Sequence, residues 1–253
     1  MDYTLNNVNQ TSIPLAKLHA MQFGNALHRI LHGLAYAHPD FGPILMAKFN
    51  LSDGYYRIPL SPQATLELAV VLPPMDNNIP IVGIPSVLPM GWNYSPTFFC
   101  SFTETAADLA NNALSSSTQQ PEHPLTQLIT SYPAITDPLS PSALHPPSVH
   151  QAVQPLFYVD VYMDDFVGLA QPSTAAITQQ AILHSIDKTF RATPHPSDPP
   201  RVSRSKLAQG DGTWATTKTI LGWLINTADK TLRLPSHKVD RLHTQLHSFL
   251  PLK

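Results

Sequence analysis

The chain has 253 residues, of which 43% are hydrophobic and 13% are charged, and its formal net charge is −2 at pH 7. This length and apolar content favour a folded protein with one large or two small cores, whereas the weak negative charge is not the basic footprint that phosphate binding normally leaves. Without an apolar run of about 18 residues, a signal-peptide pattern or a second cysteine, we expect a soluble intracellular chain with no membrane partner, whether cytoplasmic or nuclear.

The N-terminal part predicts a loose tail followed by helix. Residues 1–12 are polar, and apolar residues recur at near-helical spacing from Ile13 to about Tyr36, with Gly24 as an interruption and Asn25 as a cap of the second piece. His28 and His32 lie one helical turn apart, which is a spacing that metal sites use. Because no third ligand accompanies them, we prefer a helix surface.

Three extended segments are predicted next. Ile44 to Leu60 predicts a strand, a turn and a short bulged or helical piece. Leu66–Leu72 and Ile81–Leu88 predict two strands around the polar turn Met75–Asn78, and Pro85 makes the second an edge or interrupted strand.

A helix and a long loop follow. Ser95 is a suitable N-cap and Pro96 a suitable first residue for a helix to about Asn111. We place Glu104 and Asp108 on its solvated face. Cys100 stands among phenylalanines and is expected in the core. Residues 113–150 are rich in Ser, Thr, Pro, Gln and His, which predicts a long surface loop.

The sequence from Phe157 to Ala170, FYVDVYMDDFVGLA, predicts a tight hairpin with Asp164 and Asp165 at its tip. Adjacent carboxylates repel each other, and a divalent cation removes that cost. The alternative is a solvated, Asp-rich turn. Asp160 shares strand parity with Asp164, so it is either a supporting acid or a cross-strand partner.

The remainder predicts a helix from Ser173-Thr174, a loop at 192–204, and two strands, Thr217–Ile225 and Thr231–Leu234, joined into a hairpin region. Ser236 is predicted to cap a last helix. The residues that we expect to face inward on these two helices are Ile182, Ile186, Phe190, Val239, Leu242, Leu246 and Phe249.

Four of these segments together resemble the palm of retroelement reverse transcriptases, in the order of that family. The resemblance covers about residues 22 to 245. The segments are Asn50–Leu60 (NLSDGYYRIPL), Leu88–Pro96 (LPMGWNYSP), Tyr162–Asp165 (YMDD) and Leu221–Trp223 (LGW).

The resemblance implies a role for each matching residue. Asp164, Asp165 and Asp53 would hold Mg²⁺ or Mn²⁺, and Tyr55 would lie under the incoming sugar. Met90, Gly91 and Lys206 would lie near the nucleotide, although the family often has Gln where Met90 stands, and Lys206 could equally be a solvated lysine. Leu221, Gly222 and Trp223 would contact the primer.

Asn50 departs from the family, because it stands where the first catalytic aspartate is expected. An amide offers one neutral carbonyl oxygen, whereas two-metal phosphoryl transfer uses carboxylates to hold the cations. Asp53 or Asp160 could substitute, but neither occupies the matching position. Asn226 likewise stands where relatives commonly carry Asp.

We therefore expect an α/β (α+β) fold of the polymerase palm type, with truncated fingers and a partial thumb. The expected function is RNA-templated DNA synthesis on a template-primer with dNTP, weakened by Asn50. The alternative is a non-catalytic remnant that at most binds nucleic acid or a partner protein; a His-rich metal-binding protein is a third and weaker hypothesis. The expected parts are a tail and first helix (1–21), a palm and fingers part (22–112), an inserted loop (113–150), a palm part with both hairpins (151–235) and the start of a thumb (236–253).

Overall fold

The computed structural model describes residues 22–72, 80–116, 120–129, 154–190 and 200–249. Within these ranges the chain combines helices with small antiparallel sheets, so the predicted α+β class is confirmed at that level. The predictions for the tail, for the Met75–Asn78 turn, for 130–150 and for most of the 192–204 loop lie outside the described residues. None of the described helices is long and apolar enough to cross a membrane.

The helices and strands are numbered in chain order. The helices are α1 (Ala26–Tyr36), α2 (Pro62–Glu67), α3 (Ser95–Ser115), α4 (Ala175–Thr189), α5 (Arg204–Ala208) and α6 (Ser236–Phe249). The strands are β1 (Leu45–Asn50), β2 (Val70–Leu72), β3 (Ile81–Gly83), β4 (Phe157–Tyr162), β5 (Asp165–Ala170), β6 (Thr217–Ile220), β7 (Trp223–Asn226) and β8 (Thr231–Arg233).

The central sheet has the strand order β1-β5-β4, and its two faces differ in chemistry. Side chains alternate between the faces of a strand. One face, which includes Phe49 and Phe166, belongs to the main core that α3 and α4 complete. The opposite face combines apolar residues, such as Met46 and Val167, with polar ones. The polar residues of this second face are Lys48, Asn50, Asp160 and Asp165.

The apolar part of the second face is covered by α1 and by the sheet β6-β7-β8. An isolated bridge between Met46 and Ala215 joins the segment before β6 to β1. Leu221 and Gly222 form the two-residue turn between β6 and β7, with φ values of 50° and 81°. Positive φ at both positions is the geometry of a tight hairpin turn. The predicted strand Thr217–Ile225 is therefore divided into β6 and β7, and its pairing with the second predicted strand is confirmed only for β7 and β8.

The edge strand β4 is protected by a side chain. The Asn111 amide on α3 donates to the Val159 carbonyl at 2.8 Å and accepts from the Val159 N–H at 2.9 Å. Exposed edge groups would otherwise be open to pairing with another strand. The helix continues to Ser115, four residues beyond the predicted end.

The predicted surface loop at 113–150 is wrong where the structure describes it. Its first residues complete α3, and Pro124–Leu128 form a 3₁₀ helix that buries Leu125 and Ile129 in the main core. His123 Nε2 lies 3.1 Å from Asp187 Oδ2, and Arg201 donates to the other oxygen of that carboxylate at 2.9 Å. The segment 120–129 packs on the core with few apolar residues, because the contacts of His123 and Arg201 with Asp187 hold it in place.

Several local predictions are also corrected. Leu66 lies in α2, so only Val70–Leu72 remain of the first predicted strand, and the second ends at Gly83. Ser95 does not cap α3, because its hydroxyl donates to the Pro89 carbonyl instead. Glu104 is half-buried. The expected inward face of α6 is exposed at Leu242, Leu246 and Phe249, whereas the predicted core residues of α4 are buried.

Candidate active site at the acidic hairpin

The end of β1 lies directly beside the hairpin that carries the two aspartates. Asn50 pairs with Asp165 in the β1–β5 register. The next residue, Leu51, donates its N–H to the Asp164 carbonyl at 2.9 Å. Met163 and Asp164 form the hairpin turn, with φ of 55° at Met163. The first and third motifs therefore meet in space as the sequence predicts.

The Asn50 side chain is enclosed in this junction. The residue is 2% exposed, and its Oδ1 atom is buried without a hydrogen-bond partner among the described residues. The Asn50 main-chain carbonyl accepts from Ser203 N–H at 2.9 Å, which fixes the backbone. A buried carbonyl without a partner costs about 1–3 kcal/mol. A cation would satisfy such an oxygen.

The Asp165 carboxyl is in an unfavourable environment for a negative charge. Burial raises its pKa above the ordinary value, and the neighbouring charge of Asp164 raises the pKa further. Lys48 and Lys206 act in the opposite direction and lower it, while Asp211 raises it. The hairpin thus holds two acids whose joint ionisation depends on nearby positive charge.

Lys48 is the cation that the sequence analysis missed. It lies on the same face of β1 as Asn50, two residues earlier, and its Nζ is 3.2 Å from Asp211 Oδ2. Its N–H donates to the Asp211 carbonyl at 2.9 Å. Strand parity with Asn50 could have revealed Lys48, but no local pattern predicts Asp211.

The loop that carries Asp211 is held by a second lysine. Lys218 Nζ donates to the Gly210 carbonyl at 2.6 Å and to the Asp211 carbonyl at 2.7 Å. Burial lowers the pKa of Lys218 to about 8, although the Asp211 charge opposes this. The site is therefore flanked on the β1 side by a fixed group of charges.

Asp160 is not part of the acidic turn, because its side chain binds other residues. Arg29 donates to both of its carboxylate oxygens, at 2.8 and 2.6 Å, and the Tyr158 hydroxyl donates at 2.9 Å. The N–H of Val161 is 2.8 Å from Asp160 Oδ1. Asp160 is 2% exposed. It anchors α1 to β4, which is neither of the two roles that the sequence left open.

Tyr55 stands close to the hairpin on the other side of β1. Its ring stacks on Phe99 with centroids 4.5 Å apart. Burial raises its pKa to about 12, with smaller contributions from Cys100 and Asp164. A Cβ on Gly54 would lie 2.6 Å from the Phe99 ring, so only glycine fits before Tyr55. The structure thus brings an aromatic ring near Asp164.

The other predicted site residues are more exposed. Asp53 lies in a left-handed turn after β1, and it is not among the charges that act on Asp165. Lys206, on α5, is exposed yet close enough to Asp165 to lower its pKa. Met90 is 59% exposed, and Gly91 has φ of 96°. Their roles stay predictions.

The hairpin of Leu221, Gly222 and Trp223 lies on the same side of the central sheet as Asn50. Leu221 and Trp223 pack partly against the smaller core, and the Gly222 carbonyl accepts from Lys238 at 3.2 Å. Asn226 binds Asp229 and two main-chain N–H groups of its own turn. Its amide therefore organises the turn before β8, a role that does not require an acid.

The oxygen atoms that could hold a metal ion at this junction come from two carboxylates and one amide. Asp164, Asp165 and the unpaired Asn50 oxygen are the hard oxygen ligands that Mg²⁺ or Mn²⁺ accepts. No group of three His, Cys, Asp or Glu residues is arranged to hold a metal ion within the described part of the chain. A second cation would need a further carboxylate, and Asp211 is already paired with Lys48.

Comparison with known proteins adds no relative: the sequence matches no protein-family profile, and no curated protein is significantly similar to it.

Proposed function

We propose that the chain is a reverse-transcriptase-like palm that binds an RNA or DNA template-primer and dNTP, and that Asn50 impairs its RNA-templated DNA synthesis. One observation carries the proposal: the acidic hairpin and the end of β1 pair through Asn50 and Asp165, with a buried, unpaired amide oxygen between them. This is the arrangement that nucleotidyl transfer by a palm domain requires, with one carboxylate replaced.

Each residue has a defined part in this proposal. Asp164, Asp165 and Asn50 would hold Mg²⁺ or Mn²⁺, which supplies charge neutralisation at phosphate oxygens when bound. Tyr55, fixed by its stack on Phe99, would support the sugar of the nucleotide. Lys206 would approach phosphate from the exposed side. The primer would lie along Leu221–Trp223.

The loss of one carboxylate affects the rate more than the fold. Removing a comparable preorganised electrostatic group costs about 10²–10³ in rate. The charges of Lys48 and Lys206 near Asp165 also make the site less negative. We therefore propose that the unmodified chain binds nucleic acid but extends a primer slowly. Measurable extension is what distinguishes a polymerase from a non-catalytic remnant.

Primer extension on an RNA template tests the proposal. The unmodified chain is compared with Asn50→Asp, with Asn112→Asp as the control because Asn112 is an exposed asparagine on α3. We expect Asn50→Asp to extend the primer at least about 100-fold faster than the unmodified chain and Asn112→Asp to be unchanged.

Three outcomes contradict parts of this proposal. Equal extension by the unmodified chain and Asn50→Asp would mean that Asn50 is not an impairment. No extension by either protein, together with no template-primer binding by fluorescence anisotropy, would reject the polymerase function. Binding without extension in both proteins would leave the non-catalytic alternative as the function.

A further inference from the structure

The polar face of the central sheet carries a cation beside its acidic turn. Lys48 and Asn50 project from the same face of β1, and Asn50 pairs with Asp165. Lys48 is therefore the diagonal neighbour of Asp165, at a typical Cα separation of about 7–8 Å. The Lys48 side chain is only 18% exposed, so solvent screens its charge only partly.

Lys48 is held in place by a hydrogen bond and an ion pair with Asp211. Its main-chain N–H donates to the Asp211 carbonyl at 2.9 Å, and its ammonium group pairs with the Asp211 carboxylate at 3.2 Å. Lys218 holds the Gly210 and Asp211 carbonyls of the same loop. Three hydrogen bonds to main-chain carbonyls and one ion pair thus keep a positive charge beside Asp165.

The other acid of this face has a separate partner. Asp160 pairs with Arg29 on the β4 side, so it neither needs Lys48 nor contributes an unpaired charge to the turn. The charged residues that the fold brings to Asp165 are Asp164 in the turn and Lys48 on the neighbouring strand, with Asp211 paired to Lys48. Asn50 is neutral, and Lys48 neutralises Asp211. The negative charges that remain at the turn are those of Asp164 and Asp165, and one divalent cation, not two, balances them.

We propose that Lys48 is a built-in counter-ion of Asp165 that takes the electrostatic place of one divalent cation at this site. The site therefore binds at most one Mg²⁺ or Mn²⁺, and weakly, because the cation must compete with a fixed ammonium group. The inference builds on the proposed function, but its test measures metal binding alone.

Manganese titration followed by electron paramagnetic resonance tests the inference on the full chain. The variants are Lys48→Met, which keeps the length of the side chain and removes its charge, and the control Lys188→Met. Lys188 is an exposed lysine of α4, and α4 packs on the opposite face of the sheet. We expect Lys48→Met to bind Mn²⁺ about tenfold more tightly or better, and Lys188→Met to match the unmodified chain.

The Lys48→Met change is repeated in an Asp211→Asn protein to distinguish two roles of Lys48: a counter-ion of Asp165, or a residue that only blocks Asp211. In Asp211→Asn, Lys48 loses its ion-pair partner but still neighbours Asp165. We expect the Lys48→Met gain in Mn²⁺ affinity to persist in Asp211→Asn. A gain that vanishes there would show that Lys48 only blocks Asp211 and would overturn the inference, as would equal Mn²⁺ affinity of Lys48→Met and the unmodified chain. Circular dichroism checks that each variant is folded.

The outcome is independent of the polymerase assay. Tighter Mn²⁺ binding by Lys48→Met, with no template-primer binding by any variant, would keep this inference and reject the proposed function. Primer extension by Asn50→Asp, with no change in Mn²⁺ affinity in Lys48→Met, would do the reverse.

Discussion

Asn50 places a neutral amide at a position that is 2% exposed and paired with Asp165. A carboxylate there would add repulsion in the folded protein, because Asp165 already meets the charge of Asp164. A carboxylate would also be a stronger cation ligand than the amide oxygen. Stability without metal and affinity for metal should therefore change in opposite directions in the Asn50→Asp variant.

We expect Asn50→Asp to lose about 3 kcal/mol of unfolding free energy in EDTA, since a buried charge without a partner is costly. Millimolar Mg²⁺ should recover most of that loss, because ligand binding stabilises only the folded state. Thermal unfolding with and without Mg²⁺ measures both effects, with Asn112→Asp as the surface control. Equal stability of Asn50→Asp and the unmodified chain in EDTA would contradict the prediction.

Glu104 is a second residue whose environment differs from the predicted solvated face. Burial raises its pKa from 4.5 to about 7, with Asp160 and Asp108 adding to the rise and Arg29 opposing it. Its Oε1 atom is buried without a hydrogen-bond partner among the described residues. The folded state therefore keeps a proton that the unfolded chain releases.

The folded chain binds more protons than the unfolded chain between pH 4.5 and 7, so its stability should fall as pH rises through that window. We expect Glu104→Gln to remove this dependence and to raise the melting temperature by a few °C at pH 8, with little change at pH 4. Glu122→Gln is the control, because Glu122 is exposed and is not among the charges that act on Glu104. The same pH slope in Glu104→Gln would contradict the assignment.

At the scale of elements, α1 is joined to the central sheet through the Arg29–Asp160 pair. Both guanidinium contacts are shorter than 3 Å, and the acid is 2% exposed while the Arg29 side chain is 29% exposed. Breaking a buried pair typically costs about 3–5 kcal/mol, and partial exposure of Arg29 reduces this.

We expect Asp160→Asn and Arg29→Met each to lose about 2–3 kcal/mol, and the double variant to lose clearly less than their sum, because each single change already removes the same ion pair. Urea unfolding of the four proteins gives the coupling energy. Strict additivity would mean that the ion pair does not hold α1 to the sheet.

The elements that the sequence predicted well are those where periodicity and burial agree. The YMDD hairpin and α4 lie where their patterns put them, because each joins a regular apolar pattern to a turn or helix-start signal. Arg57 shows what such patterns miss: it is 5% exposed and donates to the Ser52 and Pro200 carbonyls, partners that no local pattern reveals.

The predicted packing of α6 was wrong because a local apolar pattern does not show which distant segment, if any, covers it. A helix-period apolar stripe predicts a face that needs cover, but not what covers it. Leu246 is 53% exposed, whereas Leu183 on α4 is 0% exposed. We expect Leu246→Ala to change the unfolding free energy by less than about 0.5 kcal/mol and Leu183→Ala to cost about 2–5 kcal/mol. Similar losses in urea unfolding would mean that α6 packs after all.

At the scale of the whole molecule, the candidate site is assembled from distant segments. The β1 end, the hairpin, the Asp211 loop and α5 meet around Asp165, and the segment near His123 closes the core behind them. The sequence supplied the motifs but not these long-range charges. Lys48 and Asp211 are 163 positions apart, so only the fold reveals that they form an ion pair close to Asp165.

The charge of the molecule sets how nucleic acid would bind. The chain has 15 Lys and Arg against 17 Asp and Glu, and few basic residues lie near the site: Lys48 is paired with Asp211, while Lys206 and Lys238 are exposed. About two or three phosphate contacts would release as many counter-ions, giving a slope of log K against log salt near −0.9 per contact.

We therefore expect template-primer affinity to fall only about 10- to 40-fold between 50 and 200 mM salt, measured by fluorescence anisotropy. Lys206→Met should reduce the slope by about one contact, and Lys188→Met, on the far face of the sheet, should leave it unchanged. A slope as steep as about −5 would require five or more phosphate contacts. The lysines around the acidic hairpin are too few to make these contacts, so that result would place the binding surface elsewhere on the chain.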